Sequence, residues 1–122
     1  MAKFMFIFRG GGYAGSASPS PTELQEHLAK WNAWTHEMHA AGKLALGQPL
    51  AYPPAGKTLR GRDRVVTDGP YAESKDLVSG IVVVEVASLD EAAELARGCP
   101  IFELDGSVEV RTALEPHHAG GG

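Results

Sequence analysis

Two stretches of this chain are apolar on both of the faces that a β-strand presents. In Lys3 to Phe8 one face carries Phe4, Phe6 and Phe8, and the other carries Met5 and Ile7. In Val78 to Val86 one face carries Ile81 and Val83, and the other Val82, Val84 and Val86. Side chains alternate along a strand, so a sheet centred on these two segments is apolar above and below. Helices packed on one side leave the other side in water, as a patch larger than soluble monomers normally carry. Covering it at ~25 cal/mol per Å2 supplies a strong drive to associate. The C-terminal tail is too short and polar to serve as the cover. A second copy, sheet against sheet, is the simplest one, so the chain is expected to be a homodimer.

The remaining elements follow from local signals. Ser20 opens a helix with Pro21 at its first position and Glu23 completing a capping box. That helix runs to about Ala41, where Gly42 stops it. Leu24, Leu28, Trp31, Thr35 and Met38 recur at helical spacing and form its expected buried stripe, with His27 and Trp34 at the edge of the same face. Leu44 to Leu50 is a strand. Thr58 to Arg60 and Arg64 to Thr67 form a hairpin around Gly61-Arg62-Asp63. Ser88 caps a second helix, with Glu91 at the capping-box position, and this helix ends at Arg97-Gly98 ahead of Pro100. Ser107 to Arg111 is the last strand. The order is β-α-β, an inserted hairpin, then β-α-β, which is that of an α+β, ferredoxin-like split βαβ sandwich with both helices on one face. At 122 residues, with 43% hydrophobic and 21% charged, one domain over residues 1–115 and a flexible tail over 116–122 are expected.

Charge and cysteine content narrow the function. A net charge of −4 argues against nucleic-acid binding. The one basic cluster, Lys57, Arg60, Arg62 and Arg64, flanks a tight turn and reads as solvated charge on a hairpin. Cys99 is the single cysteine, so no internal disulfide and no Cys-rich zinc site forms. No secretory signal and no membrane-length apolar run is found, and a cytoplasmic protein is expected. Gly10, Gly12 and Gly15 have the spacing of a dinucleotide fingerprint, but the helix starts only at Ser20, and Gln48-Pro49 stands where an acidic residue should close the second strand. His36 and His39 are three residues apart around Glu37, not the four of a metalloprotease helix. No metal and no organic cofactor is expected.

Two groups of residues carry possible chemistry. His27, Trp31, Trp34 and Met38 share one face of the first helix. They read either as core or as the wall of an aromatic pocket that holds an imidazole, a base suited to neutral pH. Asp68-Gly69-Pro70-Tyr71-Ala72-Glu73 reads either as turn chemistry or as a carboxylate, Asp68, aimed into a cavity with Glu73 and Lys75 near its rim. A carboxylate with an imidazole is a proton-transfer set.

Thr67-Asp68-Gly69-Pro70-Tyr71-Ala72-Glu73 resembles the signature of DGPF-type proteins in the YCII-related (YciI-like) family, with Tyr71 where Phe is usual. The resemblance extends through Lys30-Trp31-Asn32-Ala33-Trp34, Ala87-Ser88-Leu89-Asp90-Glu91-Ala92, Gly98-Cys99-Pro100 and Gly106-Ser107-Val108-Glu109-Val110-Arg111. It implies a dimeric α+β barrel. It also implies kinship with short members that resemble muconolactone isomerase in fold and have a proposed His–Asp pair, and with a dehalogenase. Counted back from Gly42, the helix histidine of those members falls near Trp31, and His27 lies one turn earlier. DGPF-type proteins are also associated with extracytoplasmic-function sigma factors.

Two functions follow as expectations. One is a cofactor-independent enzyme that carries out proton transfer or elimination on a small molecule, with Asp68 or His27 as base and Trp31, Trp34, Tyr71, Glu73 and Lys75 around the substrate. The other is a non-catalytic dimer that binds a ligand or has a regulatory role.

Overall fold

The two doubly apolar segments pair with each other. β1 (Ala2–Arg9) runs antiparallel to β5 (Val78–Val86), with Phe4 opposite Val84 and Phe6 opposite Val82. The structure, a computed structural model, describes residues 1–11, 20–51, 55–69 and 76–114. Between the two central strands in the chain come α1 (Pro21–Ala40), β2 (Leu44–Pro49) and the hairpin of β3 (Lys57–Arg60) and β4 (Val65–Asp68), and after β5 come α2 (Leu89–Ala96), a short 3-10 turn (Pro100–Leu104) and β6 (Ser107–Thr112). The main sheet has four antiparallel strands in the order β2-β5-β1-β6, and β3-β4 form a separate two-stranded sheet.

One face of the main sheet is the core. Phe4, Phe6, Phe8, Val82, Val84 and Val86 are buried against Trp34 and Met38 of α1, Ala92 and Ala96 of α2, and Cys99 and Ile101. Both helices therefore cover the same face. The opposite face carries Met5, Ile7, Ile81 and Val83 in its centre, all half-buried. A bulge between Leu44 and Leu46 turns Leu46 to that side, opposite Val83. Arg9, Glu109 and Arg111 form an ion-pair chain along one margin of this open face.

The expected dimeric α+β barrel of a ferredoxin-like sandwich is corrected by this topology. The chain is an α+β fold with a four-stranded antiparallel sheet and two helices, and no sheet among the described residues closes into a barrel. β2 and β6 stand as edges at opposite sides of the main sheet, and the inserted hairpin pairs only within itself. Closure would require those edges to meet or be bridged.

The caps form as their sequences dictate. Ser20 Oγ accepts the Glu23 N–H, and Glu23 reaches back to the Ser20 N–H. At α2 the Ser88 hydroxyl accepts the Glu91 N–H, but the Glu91 carboxylate turns back one residue further, to the Ala87 N–H. Gly42 ends α1 at φ +73°, where a side chain would be strained. The stripe of α1 differs from expectation. Trp34 and Met38 are its buried members, His27, Trp31 and Thr35 are half-buried, and Leu24 and Leu28 are 36% and 50% exposed.

Candidate functional site

Phe6 and Phe8 of β1 and Trp31 and Trp34 of α1 form one connected cluster of rings. Trp34 stacks on Phe6 at 6.2 Å between ring centroids, and Phe8 meets Trp31 edge-on at 5.3 Å. Trp31 and Trp34 meet edge-on at 5.7 Å. Burial of this much ring surface, with edge-to-face geometry, fixes the orientation of each indole. The Trp34 N–H is used structurally, donating to the Leu95 carbonyl oxygen at 3.2 Å. The Trp31 N–H is used differently, donating to His27 Nε2 at 2.8 Å.

His27 lies one helical turn before Trp31, and its side chain is only 11% exposed. Its Nδ1 faces Glu103 Oε2 at 3.8 Å, and Lys30 Nζ lies 2.9 Å from Glu103 Oε1. Glu103 comes from the 3-10 turn, which Pro100 starts and which the buried Ile101 anchors in the core. Its carboxyl is held below its ordinary value, first by the Lys30 hydrogen bond and then by the charges and bonds of Lys30 and His27. α1, the end of α2 and the 3-10 turn also border an open groove of about 520 Å3, lined by Lys30, Ala33, Trp34, Glu37, Arg97 and Phe102 together with Glu103. That volume is within the range of small-molecule sites.

Asp68 stands elsewhere in the fold. It ends β4, its side chain is 88% exposed, and its carboxylate is 2.7 Å from Lys57 Nζ across the hairpin. The structure thus gives the two expected proton-transfer residues separate neighbours: Lys57 for Asp68, and Trp31 and Glu103 for His27. Trp31 meets the His27 ring on one side, at 6.3 Å between centroids, and the Trp34 ring on the other, at 5.7 Å. Tyr71, Glu73 and Lys75 lie outside the described residues, as do Gly12 and Gly15 of the glycine-rich stretch and the tail. His36 and His39 are exposed, and no cluster of three or more metal-ligating side chains exists among the described residues. Cys99 is buried, and burial pushes its thiol up to about 12, against a partly offsetting backbone hydrogen bond from Ile101. That environment suits a structural thiol. Glu103 is the residue that sequence reasoning missed. Only its position just after Gly98-Cys99-Pro100 hinted at it.

Fold and site together define a small α+β domain with an imidazole held against an indole on its first helix and a sheet face of half-buried apolar side chains that neither described helix covers. The chain belongs to the YCII-related family: residues 10–115 match the YCII-related domain. An uncharacterised protein of Rhizobium meliloti (strain 1021) is 42% identical over 74 residues, 58% of this chain and 60% of that protein. The match therefore spans less than two thirds of that relative's length. A solved structure, 5-chloro-2-hydroxyhydroquinone dehydrochlorinase from Burkholderia phenoliruptrix AC1100 in complex with 2,5-dihydroxybenzoquinone, is similar over 95% of this chain and 97% of that one. Its TM-score is 0.48 and its identity is 17%. No described helix is long and apolar enough to cross a membrane.

Proposed function

We propose that the protein is a homodimer that acts on a small molecule by proton transfer, without a metal or organic cofactor, and that His27 is the base. The observation that carries this reading is the His27–Glu103 pair: an imidazole 11% exposed, edge-on to the Trp31 indole, with a carboxylate 3.8 Å from Nδ1. A carboxylate at one imidazole nitrogen orients the ring and stabilises the cation formed when the other nitrogen accepts a proton. Trp31 and Trp34 supply the apolar wall. Asp68, Tyr71, Glu73 and Lys75 enter the proposal from the sequence signature alone, as further residues that meet the ligand. The dimer is supported by the apolar face of Met5, Ile7, Ile81 and Val83, which neither described helix covers.

A second reading, a ligand-binding or regulatory dimer without turnover, is favoured by one specific contact. The nitrogen of His27 that would take the proton already accepts the Trp31 N–H. A screen of small organic acids and hydroxylated ring compounds, read first by thermal shift and then by turnover, separates the two. The enzymatic reading expects turnover that His27→Gln abolishes while binding survives, with Asp68→Asn lowering kcat by at least about tenfold if Asp68 handles a proton. Binding with no turnover of any bound compound would overturn it in favour of the second reading.

A further inference from the structure

We propose that Trp31 is a latch on His27: its indole N–H occupies the imidazole lone pair, and a ligand engages His27 only by replacing that N–H with an O–H or N–H of its own. An indole nitrogen is a donor and never an acceptor. The 2.8 Å bond from Trp31 Nε1 to His27 Nε2 therefore requires Nε2 to be unprotonated. In the neutral ring the proton then resides on Nδ1, the nitrogen that faces Glu103 at 3.8 Å. Lys30, on the other oxygen of Glu103, holds that carboxylate in place. One hydrogen bond joins indole to imidazole and another joins ammonium to carboxylate, and across the 3.8 Å between Nδ1 and Glu103 the two pairs act on each other through charge.

The latch is local in origin. Residues four apart on a helix stand one above the other, so the indole of residue 31 reaches back over the ring of residue 27. It is also supported, because Phe8 and Trp34 contact Trp31 edge-on at 5.3 and 5.7 Å. Two consequences follow for a ligand. It must bring a hydrogen-bond donor, since a compound with acceptors alone leaves the Trp31–His27 bond the better partner. It must also be thin enough to share the space with a displaced indole, which favours a hydroxylated or amino-bearing planar compound. These ligand consequences rest on the reading that His27 meets the bound molecule. The latch itself does not.

The test uses the intact chain and no ligand. Diethylpyrocarbonate acylates an unprotonated imidazole nitrogen, and peptide mass spectrometry reads the rate at each of the five histidines. His27 is expected to react more slowly than His36 and His39, which are exposed on the same helix. Trp31→Phe is expected to speed His27 by about tenfold, the factor that one lost hydrogen bond to the ring is worth. Trp34→Phe loosens the same aromatic cluster, breaks only the bond to Leu95, and is expected to leave the His27 rate near that of the parent. Nitrogen-15 NMR of the His27 ring gives a readout that mere shelter would not move, with the Nδ1–H tautomer expected in the parent. An Nε2–H tautomer in the parent, or equal acceleration by the two tryptophan variants, overturns the latch. Either result leaves the turnover experiment above undecided, so the two proposals fail separately.

Discussion

At the scale of single residues, the turn that presents Glu103 depends on a glycine packed against it. A Cβ on Gly106 would stand 2.3 Å from Ile101 Cγ1 and 3.0 Å from Gly11 Cα. Ile101 is one of the most deeply buried side chains, and it anchors the turn that presents Glu103. It cannot retreat without disturbing that turn. Gly106→Ala is therefore expected to destabilise the fold by ~1–3 kcal/mol, the usual cost of overpacking, measured by urea denaturation. Cys99 makes a second prediction, with its sign fixed by burial. The folded chain holds the thiol proton until about pH 12, whereas an unfolded chain releases it around the ordinary value of 9.0. The folded state then binds more protons than the unfolded one across that window. The stabilisation is complete below pH 9 and is lost as pH rises toward 12, so the denaturation midpoint should fall on raising the pH from 8 to 11. Cys99→Ala should flatten that fall. An unchanged slope in the variant would mean that other groups titrate there.

At the scale of elements, α1 carries both the fold's best cap and its candidate base. Ser20→Ala removes the acceptor for the Glu23 N–H and breaks the reciprocal box. A loss of about 1 kcal/mol is expected in the denaturant midpoint, without loss of the aromatic near-UV signal, because Trp34 and Met38 dock the helix further along. Much of this scale was legible in the sequence. β1 and β5, both serine caps and the hairpin turn at Gly61-Arg62-Asp63 all depend on contacts a few residues apart or on strict alternation, and these leave their pattern in the chain, although the turn also takes in Arg64, expected as the start of the next strand. What the pattern could not give was the rotation and reach of α1. Helical spacing alone admits Leu24 and Leu28 into the stripe as readily as Trp34. Where the sheet lies beneath the helix decides between them, and Trp34 and Met38 lie over Phe6, Phe8 and the α2 end while Leu24 and Leu28 do not reach the core. Glu103 was illegible for a related reason. It meets Lys30 across 73 residues of sequence, through a turn that Pro100 announced only as the end of a helix. The His27–Trp31 contact, four residues apart, was within reach of the sequence, but the exchange of roles between two donor-capable rings was not.

At the scale of the whole molecule, the open sheet face is the ground for the proposed dimer. Its middle rows run Leu46–Val83–Met5 and Gln48–Ile81–Ile7, with Arg111 and Glu109 closing the β6 side. The margin adds Lys3 beside Glu85, so the patch has an apolar centre and a charged rim, the anatomy of an association surface. A lone subunit would leave that centre hydrated, and helices are already committed to the other face. Sedimentation at micromolar concentration is expected to give a mass of twice the 12.9 kDa chain. Val83→Asp places a carboxylate in the middle of the patch, with no cation opposite it in the strand register, since its cross-strand neighbours are Met5 and Leu46. Twofold packing would bring two such charges into one desolvated centre. The dissociation constant should rise by at least ~100-fold, the scale of an unpaired charge buried at an interface. Val66→Asp, on the exposed hairpin, is the matched control and should leave the mass unchanged. Circular dichroism should show both variants folded, because Val83 contributes nothing to the buried face. A wild-type chain that sediments as a folded single subunit would remove the dimer from the proposal while leaving His27, Trp31 and Glu103, which belong to one subunit, where they are.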